Sequence, residues 1–155
     1  MLKQYNAIIA DTSCFILLYK LNYLDVLYKL FGKVTTTPEV FLELNKTLPE
    51  WIITERVKNI HQQQLLEKEV DKGEASVISL AIEKENSLLI LDDLKARKLA
   101  AKLSIQYTGT LGVFLKAKER GIILALKPIL LNIQKTNFRF SDKVFEELLE
   151  IAGEL

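Results

Sequence analysis

Histidine and cysteine are almost missing from this chain: His61 and Cys14 are the single occurrences of each among 155 residues. One cysteine excludes a disulfide within the chain, and one of each excludes a zinc site built from several Cys and His ligands. Catalysis by paired histidines goes with them. Three prolines and six glycines are few, and the charges nearly cancel at +1. Disorder is therefore not expected, and bulk charge gives no reason to hold a polyanion. Any affinity for nucleic acid has to come from a local basic patch. Long apolar runs are absent too. None approaches the roughly 18 residues of a membrane span; Ile122 to Leu126 is cut by Lys127-Pro128, and Asp11 interrupts the early run that a secretion signal would need. The expected location is the cytoplasm, with no membrane partner.

What is present is an ordinary globular composition, 49% hydrophobic and 26% charged, in a length that suits one domain over 1–155. Short apolar runs alternate with helical patterns, which predicts a largely parallel sheet with helices on its faces, an α/β fold. The strands are Ala7–Ala10, Val34–Thr36, Leu88–Leu91 and Ile105–Tyr107, and Ile52–Val57 reads as either a strand or a linker. Helices are predicted over Ser13–Leu21, over Leu24–Phe31 with Asn22 as N-cap, and over Pro38–Asn45 behind Thr37. A polar helix follows over His61–Val70. Asp71 and Glu74 then spell a capping box before a strongly apolar helix. Further on, Ala96, Leu99, Ala100 and Leu103 recur at helical spacing opposite Lys95, Lys98 and Lys102. Thr110–Arg120 is closed by Gly121, and helices opened by Pro128 and Ser141 make residues 126–155 a helical extension packed on the domain. Cys14, Trp51 and Tyr107 are assigned to the core, and His61 to the surface.

The acids carry the chemistry. Asp11 follows the first strand directly, and Asp92-Asp93 follows Leu88–Leu91 in the same way, at the end of a parallel strand where ligands usually bind. Asp11 or Ser13 would also serve as a helix cap. Glu43 lies at the edge of the Val40, Phe41, Leu44 face, where its carboxylate either leans toward the protein body or snorkels as an ordinary boundary residue of the helix. Glu74 is either a capping residue or a reach into a site above the sheet. Carboxylates gathered together repel unless a cation neutralises them, and an oxygen-only ligand set favours Mg²⁺ or Mn²⁺ over zinc or copper. The Lys95, Lys98, Lys102 stripe, with Arg97 beside it, begins just after Asp92-Asp93 and suits a nucleic-acid backbone or simply a solvated face.

In order and spacing, Asp11-Thr12-Ser13, Thr37-Pro38-Glu39-Val40 with Glu43, Gly73-Glu74-Ala75 and Leu91-Asp92-Asp93 resemble the PIN-domain nucleases. With Gly109-Thr110-Leu111-Gly112-Val113-Phe114-Leu115, Ala117-Lys118 and Gly121-Ile122-Ile123, the chain is similar to the prokaryotic PIN-like branch related to VapC toxins, the DUF3368 type. The resemblance runs to about Ile123. It implies a three-layer α/β/α domain whose central parallel sheet has four to five strands, with an acidic pocket that binds Mg²⁺ or Mn²⁺ and hydrolyses single-stranded RNA. Asp11 and the last acid would be the main metal ligands, with Glu43 and Glu74 completing the pocket and Ser13 supporting Asp11. Leu91 stands where the family has a threonine, so Asp93 and Asp92 both stay open as the last acid, Asp93 favoured. The resemblance also implies a toxin role, a cognate antitoxin partner and a homodimer. The alternative is a catalytically inactive PIN-like module whose acids are caps and which binds RNA or a protein.

Overall fold

A computed structural model describes residues 4–155. In chain order the elements are β1 (Ala7–Ala10), α1 (Thr12–Leu21), α2 (Asp25–Phe31), β2 (Val34–Thr36), α3 (Pro38–Leu44), β3 (Ile52–Thr54) and α4 (Ile60–Leu66). They continue with α5 (Lys72–Glu83), β4 (Ser87–Ile90), α6 (Leu94–Lys102), β5 (Gln106–Thr108), α7 (Thr110–Glu119), α8 (Lys127–Gln134) and α9 (Asp142–Ile151). The five strands form one sheet, all neighbours parallel, in the order β3-β2-β1-β4-β5. Connections up to β3 run one way along the sheet and those to β4 and β5 the other. Right-handed crossovers therefore put their helices on opposite faces, giving the three layers of an α/β/α domain. Packing agrees: α1 touches α8 and α2 touches α7, whereas α4 and α5 pack together and α6 lies along β5. α3 contacts both α1 and α5.

Burial explains which strands are central. β1 and β4 present Ile9, Ala10, Leu89 and Ile90 with no exposed surface, as a strand covered on both faces requires. Each fully buried Ile or Leu contributes roughly 2 kcal/mol of apolar transfer. Phe15, Leu18 and Leu27 fill the side of α1 and α2, and Val77, Ile78 and Leu80 that of α5. α8 buries Ile129, Leu130 and Ile133 in the same core, while α9 buries only Leu149.

The expected elements recur with informative shifts. The ambiguous segment is a strand, β3, ending at Thr54 before the charged Glu55-Arg56. β4 starts one residue early and β5 one late, so Leu91 already lies beyond its strand. Asn22 does not open α2. It closes α1 at φ 61, its amide donating to the Leu18 and Tyr19 carbonyls, because asparagine tolerates the left-handed region. α4 stops at Leu66 instead of running to Val70. Tyr107 is not in the core: β5 is an edge strand and leaves the residue 36% exposed.

Candidate active site

Strand order reverses between β1 and β4, and the crevice at the carboxyl ends of those two strands is where an open parallel sheet binds ligands. Ala10 pairs with Ile90 there, and the next amide, that of Asp11, donates to the Ile90 carbonyl at 3.1 Å. β1 thus delivers Asp11 to the switch point. The residue is only 4% exposed, and Oδ1 has no hydrogen-bond partner. Burial pushes the carboxyl up to about 7; the Thr12 amide opposes this, and Glu74, Asp71 and Glu43 add to it.

Glu43 reaches the same place from α3. Thr12 Oγ1 donates to its Oε2 at 3.1 Å, and the carboxylate rests directly against Gly73, where a methyl group would overlap it. Glycine in the first turn of α5 is what lets α3 and α5 meet. Thr37, the α3 cap, exchanges a 2.7 Å hydrogen bond with Ser76, whose hydroxyl also reaches the Gly73 carbonyl. Partial burial raises the Glu43 carboxyl, against the Thr12 hydroxyl, with Asp71 adding to the rise and the Gly73 amide opposing it.

Glu74 is both things the sequence allowed. It completes the capping box, accepting from the Asp71 amide while Asp71 Oδ1 accepts from its own amide at 2.8 Å. It also belongs to the cluster. Desolvation lifts its carboxyl to about 7 despite the Asp71 amide, and Asp71, Asp93 and Glu43 add their charge.

The adjacent pair after β4 divides. Asp93 is exposed and caps α6, Oδ2 accepting from the Ala96 amide at 2.9 Å, yet its charge still acts on Glu74. Asp92 turns the other way. Its Oδ1 accepts from the Thr110 amide at 2.7 Å, and its Oδ2 from the Thr110 hydroxyl at 2.6 Å and Ser13 Oγ at 3.1 Å. Ser13 therefore supports Asp92, not Asp11 as expected, because its position on α1 faces the β4 end. This clasp ties the starts of α1 and α7 to the end of β4. Cys14 sits fully buried beside it, its thiol pushed up by burial and by Asp92.

The cluster is gathered but not closed: among the described residues, no three carboxylate, Cys or His groups stand near enough together to hold a metal ion as they are. Asp11, Glu43, Glu74 and Asp71 interact mutually, Asp93 reaches them through Glu74, and Asp92 is committed to its hydroxyl partners. The expected convergence of all the acids on one cation is thus incomplete, since Glu74 and Asp93 also close helix ends. The donor set still suits a hard cation, being all oxygen and including a buried carboxylate oxygen without a partner. Three contributors escaped the sequence reading: Thr12, Thr110 and Asp71 as an electrostatic member. Thr12 and Thr110 each stand at the carboxyl end of a strand, which was the available signal. The basic residues split as well. Lys95, Lys98 and Lys102 share an exposed stripe on α6, but Arg97 lies on the other flank of the buried Ala96, Leu99, Ala100 face, over the Tyr107 ring.

Comparison with known proteins agrees with this geometry. The family model DUF3368, described as a PIN domain, matches residues 7–154. No curated protein and no solved structure matches the chain. PIN domains are typically nucleases that bind nucleic acid and generally use divalent metals. With nearly its whole length matched and its acids set around the β1–β4 switch point, this chain belongs to the PIN-domain family.

Proposed function

We propose that the chain is a divalent-metal-dependent ribonuclease that hydrolyses phosphodiester bonds of single-stranded RNA with Mg²⁺ or Mn²⁺. The observation that supports this best is Asp11, buried at the switch point with one oxygen unpartnered and other carboxylates crowded against it. A group so placed is unfavourable in a purely structural role and suits a cation site. Asp11, Glu43, Glu74 and Asp93 are the residues that would hold the ion, with Asp92 the alternative to Asp93. The ion, when bound, neutralises charge on the phosphodiester and activates water.

The chain's own groups set the conditions. Asp11 and Glu74 hold protons up to about pH 7, so binding a cation releases protons and is favoured as pH rises. Thr12 orients Glu43, and the Ser13 and Thr110 clasp fixes the end of β4. Hydrolysis adds the water oxygen to phosphorus and breaks the bond to the 3′ oxygen, which takes a proton, leaving a 5′-phosphate and a 3′-hydroxyl. The Lys95, Lys98, Lys102 stripe suits the RNA backbone.

A second reading is an inactive PIN-like module that binds RNA or a protein. The capping bonds of Asp71, Glu74 and Asp93 favour it. Cleavage of a single-stranded RNA separates the two. Wild type is expected to cleave it with Mg²⁺ or Mn²⁺ and to stop in EDTA. Asp11→Asn should be slower by more than roughly 100-fold, since even residues behind a metal ligand are worth 10–100-fold. Equal rates, or cleavage surviving EDTA, would defeat the assignment. By the same likeness to VapC-type proteins we extend the proposal to a homodimeric toxin in the cytoplasm, restrained by an antitoxin that covers the acids. Growth arrest on expression, relieved by Asp11→Asn, tests that role.

A further inference from the structure

Arg97 is a cation over an aromatic ring with no ion pair among the described residues. Its Cζ lies 5.0 Å from the centroid of the Tyr107 ring. Its Nη1 lies 3.7 Å from the point where a Gly109 side chain would begin, and Asp92 Oδ1 lies 3.0 Å from that same point. The guanidinium is thus a neighbour of Asp92 but forms no ion pair with it, and none of the ion pairs among the described residues involves Arg97. Both Asp92 oxygens are already engaged by Thr110 and Ser13. Gly109 has no side chain to separate the two groups. β5 is the sheet edge, so the Arg97–Tyr107 pair opens outward, about 10 Å or two strand spacings from β1.

We propose that Arg97, held over the Tyr107 ring, is a phosphate subsite for single-stranded RNA at the β5 edge, directing the strand across the carboxyl ends of β4 and β1. This rests on the ribonuclease reading for its substrate. The acidic cluster repels a polyanion, so a guanidinium next to Asp92 and two strands away from Asp11 decides where a phosphate settles. A guanidinium over an aromatic ring keeps its N–H groups for a phosphate, which it can meet with two parallel hydrogen bonds. The lysine stripe, on the opposite flank of α6, is a separate and more diffuse contact.

The test is binding of a short fluorescent oligouridine to the full chain in EDTA, by anisotropy at several salt concentrations. Arg97→Gln is expected to weaken binding about tenfold and to reduce the slope of log affinity against log salt by about 0.7, one single-strand phosphate contact. Tyr107→Leu should weaken it less in wild type and add nothing in the Arg97→Gln background, because the ring acts through the guanidinium. Arg97→Lys, retaining charge without the planar guanidinium, should keep the slope and lose part of the affinity. Thermal unfolding verifies each variant, and Arg97→Lys carries the test if Arg97→Gln does not fold. Unchanged affinity in the folded Arg97 variants, additive effects of the two positions, equal Arg97-dependent binding of polyglutamate, or no RNA binding by wild type would each overturn the subsite. Binding is read without divalent metal, so wild type that binds through Arg97 there yet does not cleave in the separate assay with Mg²⁺ or Mn²⁺ overturns only the nuclease reading. Cleavage by wild type with Arg97→Gln binding unchanged overturns only the subsite.

Discussion

Two carboxylate neighbourhoods in this molecule have opposite character. At the β1–β4 switch point Asp11 is buried with an unpartnered oxygen, and its carboxyl is raised to about 7. After α9, Glu154 accepts from the Leu126 and Lys127 amides that open α8, at 2.7 and 2.9 Å, and from Lys118 Nζ at 2.8 Å. Desolvation acts upward on Glu154 too, but the Lys118 ammonium and the two amides outweigh it and bring the carboxyl down to about 2. The same chemical group is stabilising in one place and strained in the other. A carboxylate given an ammonium and two amides fastens the fold; one left with an unpartnered oxygen among other carboxylates weakens it.

The comparison is broken most directly through stability against pH. Asp11 has a folded-state pKa above its unfolded value of 3.8, so the folded state binds the extra proton and the apo protein loses stability as pH rises from about 4 to about 7. Asp11→Asn removes that penalty and is expected to stabilise the apo protein at pH 8 by on the order of 2 kcal/mol, with little gain at pH 4. Chemical denaturation at the two pH values measures it; destabilisation at pH 8 would remove the distinction drawn above. Glu154 has the opposite sign. Its contribution is present above its unfolded pKa of 4.5 and is lost as pH falls toward 2. Glu154→Gln should lower the melting temperature at pH 7 by about 5 °C, and the gap to wild type should narrow in acid. The smallest effect sharpens the assignment of the adjacent acids. Asp93→Ala should cost about 1 kcal/mol, the worth of an N-cap, whatever its part in cation binding.

Much of this fold is legible in single residues. Gly121 at φ 74 ends α7 as glycine does at such positions, Thr37 and Ser141 cap the helices they precede, and the Asp71–Glu74 capping box forms. Local rules suffice where the partners are within a few residues. They fail at Asn22, where capping α2 and closing α1 are both chemically reasonable and the backbone takes the second. Of the candidate site, Asp11, Glu43 and Glu74 can be read from strand ends and helix faces. Ser13 could not be assigned its partner, because Asp92 is 79 residues away. Arg97 and Tyr107 looked like members of a stripe and a core until the edge position of β5 placed them against each other.

The sequence by itself determined that any metal site here is built mainly from oxygen, since one histidine and one cysteine can supply at most two other ligands. It also set the strand-then-acid pattern that brings carboxylates to one end of a parallel sheet. Only the tertiary structure decided which acid faces which neighbour. Asp92 and Asp93 are equivalent in the chain, but extended backbone sends successive side chains in opposite directions. One therefore meets Ser13 and Thr110, and the other caps α6 within electrostatic reach of Glu74.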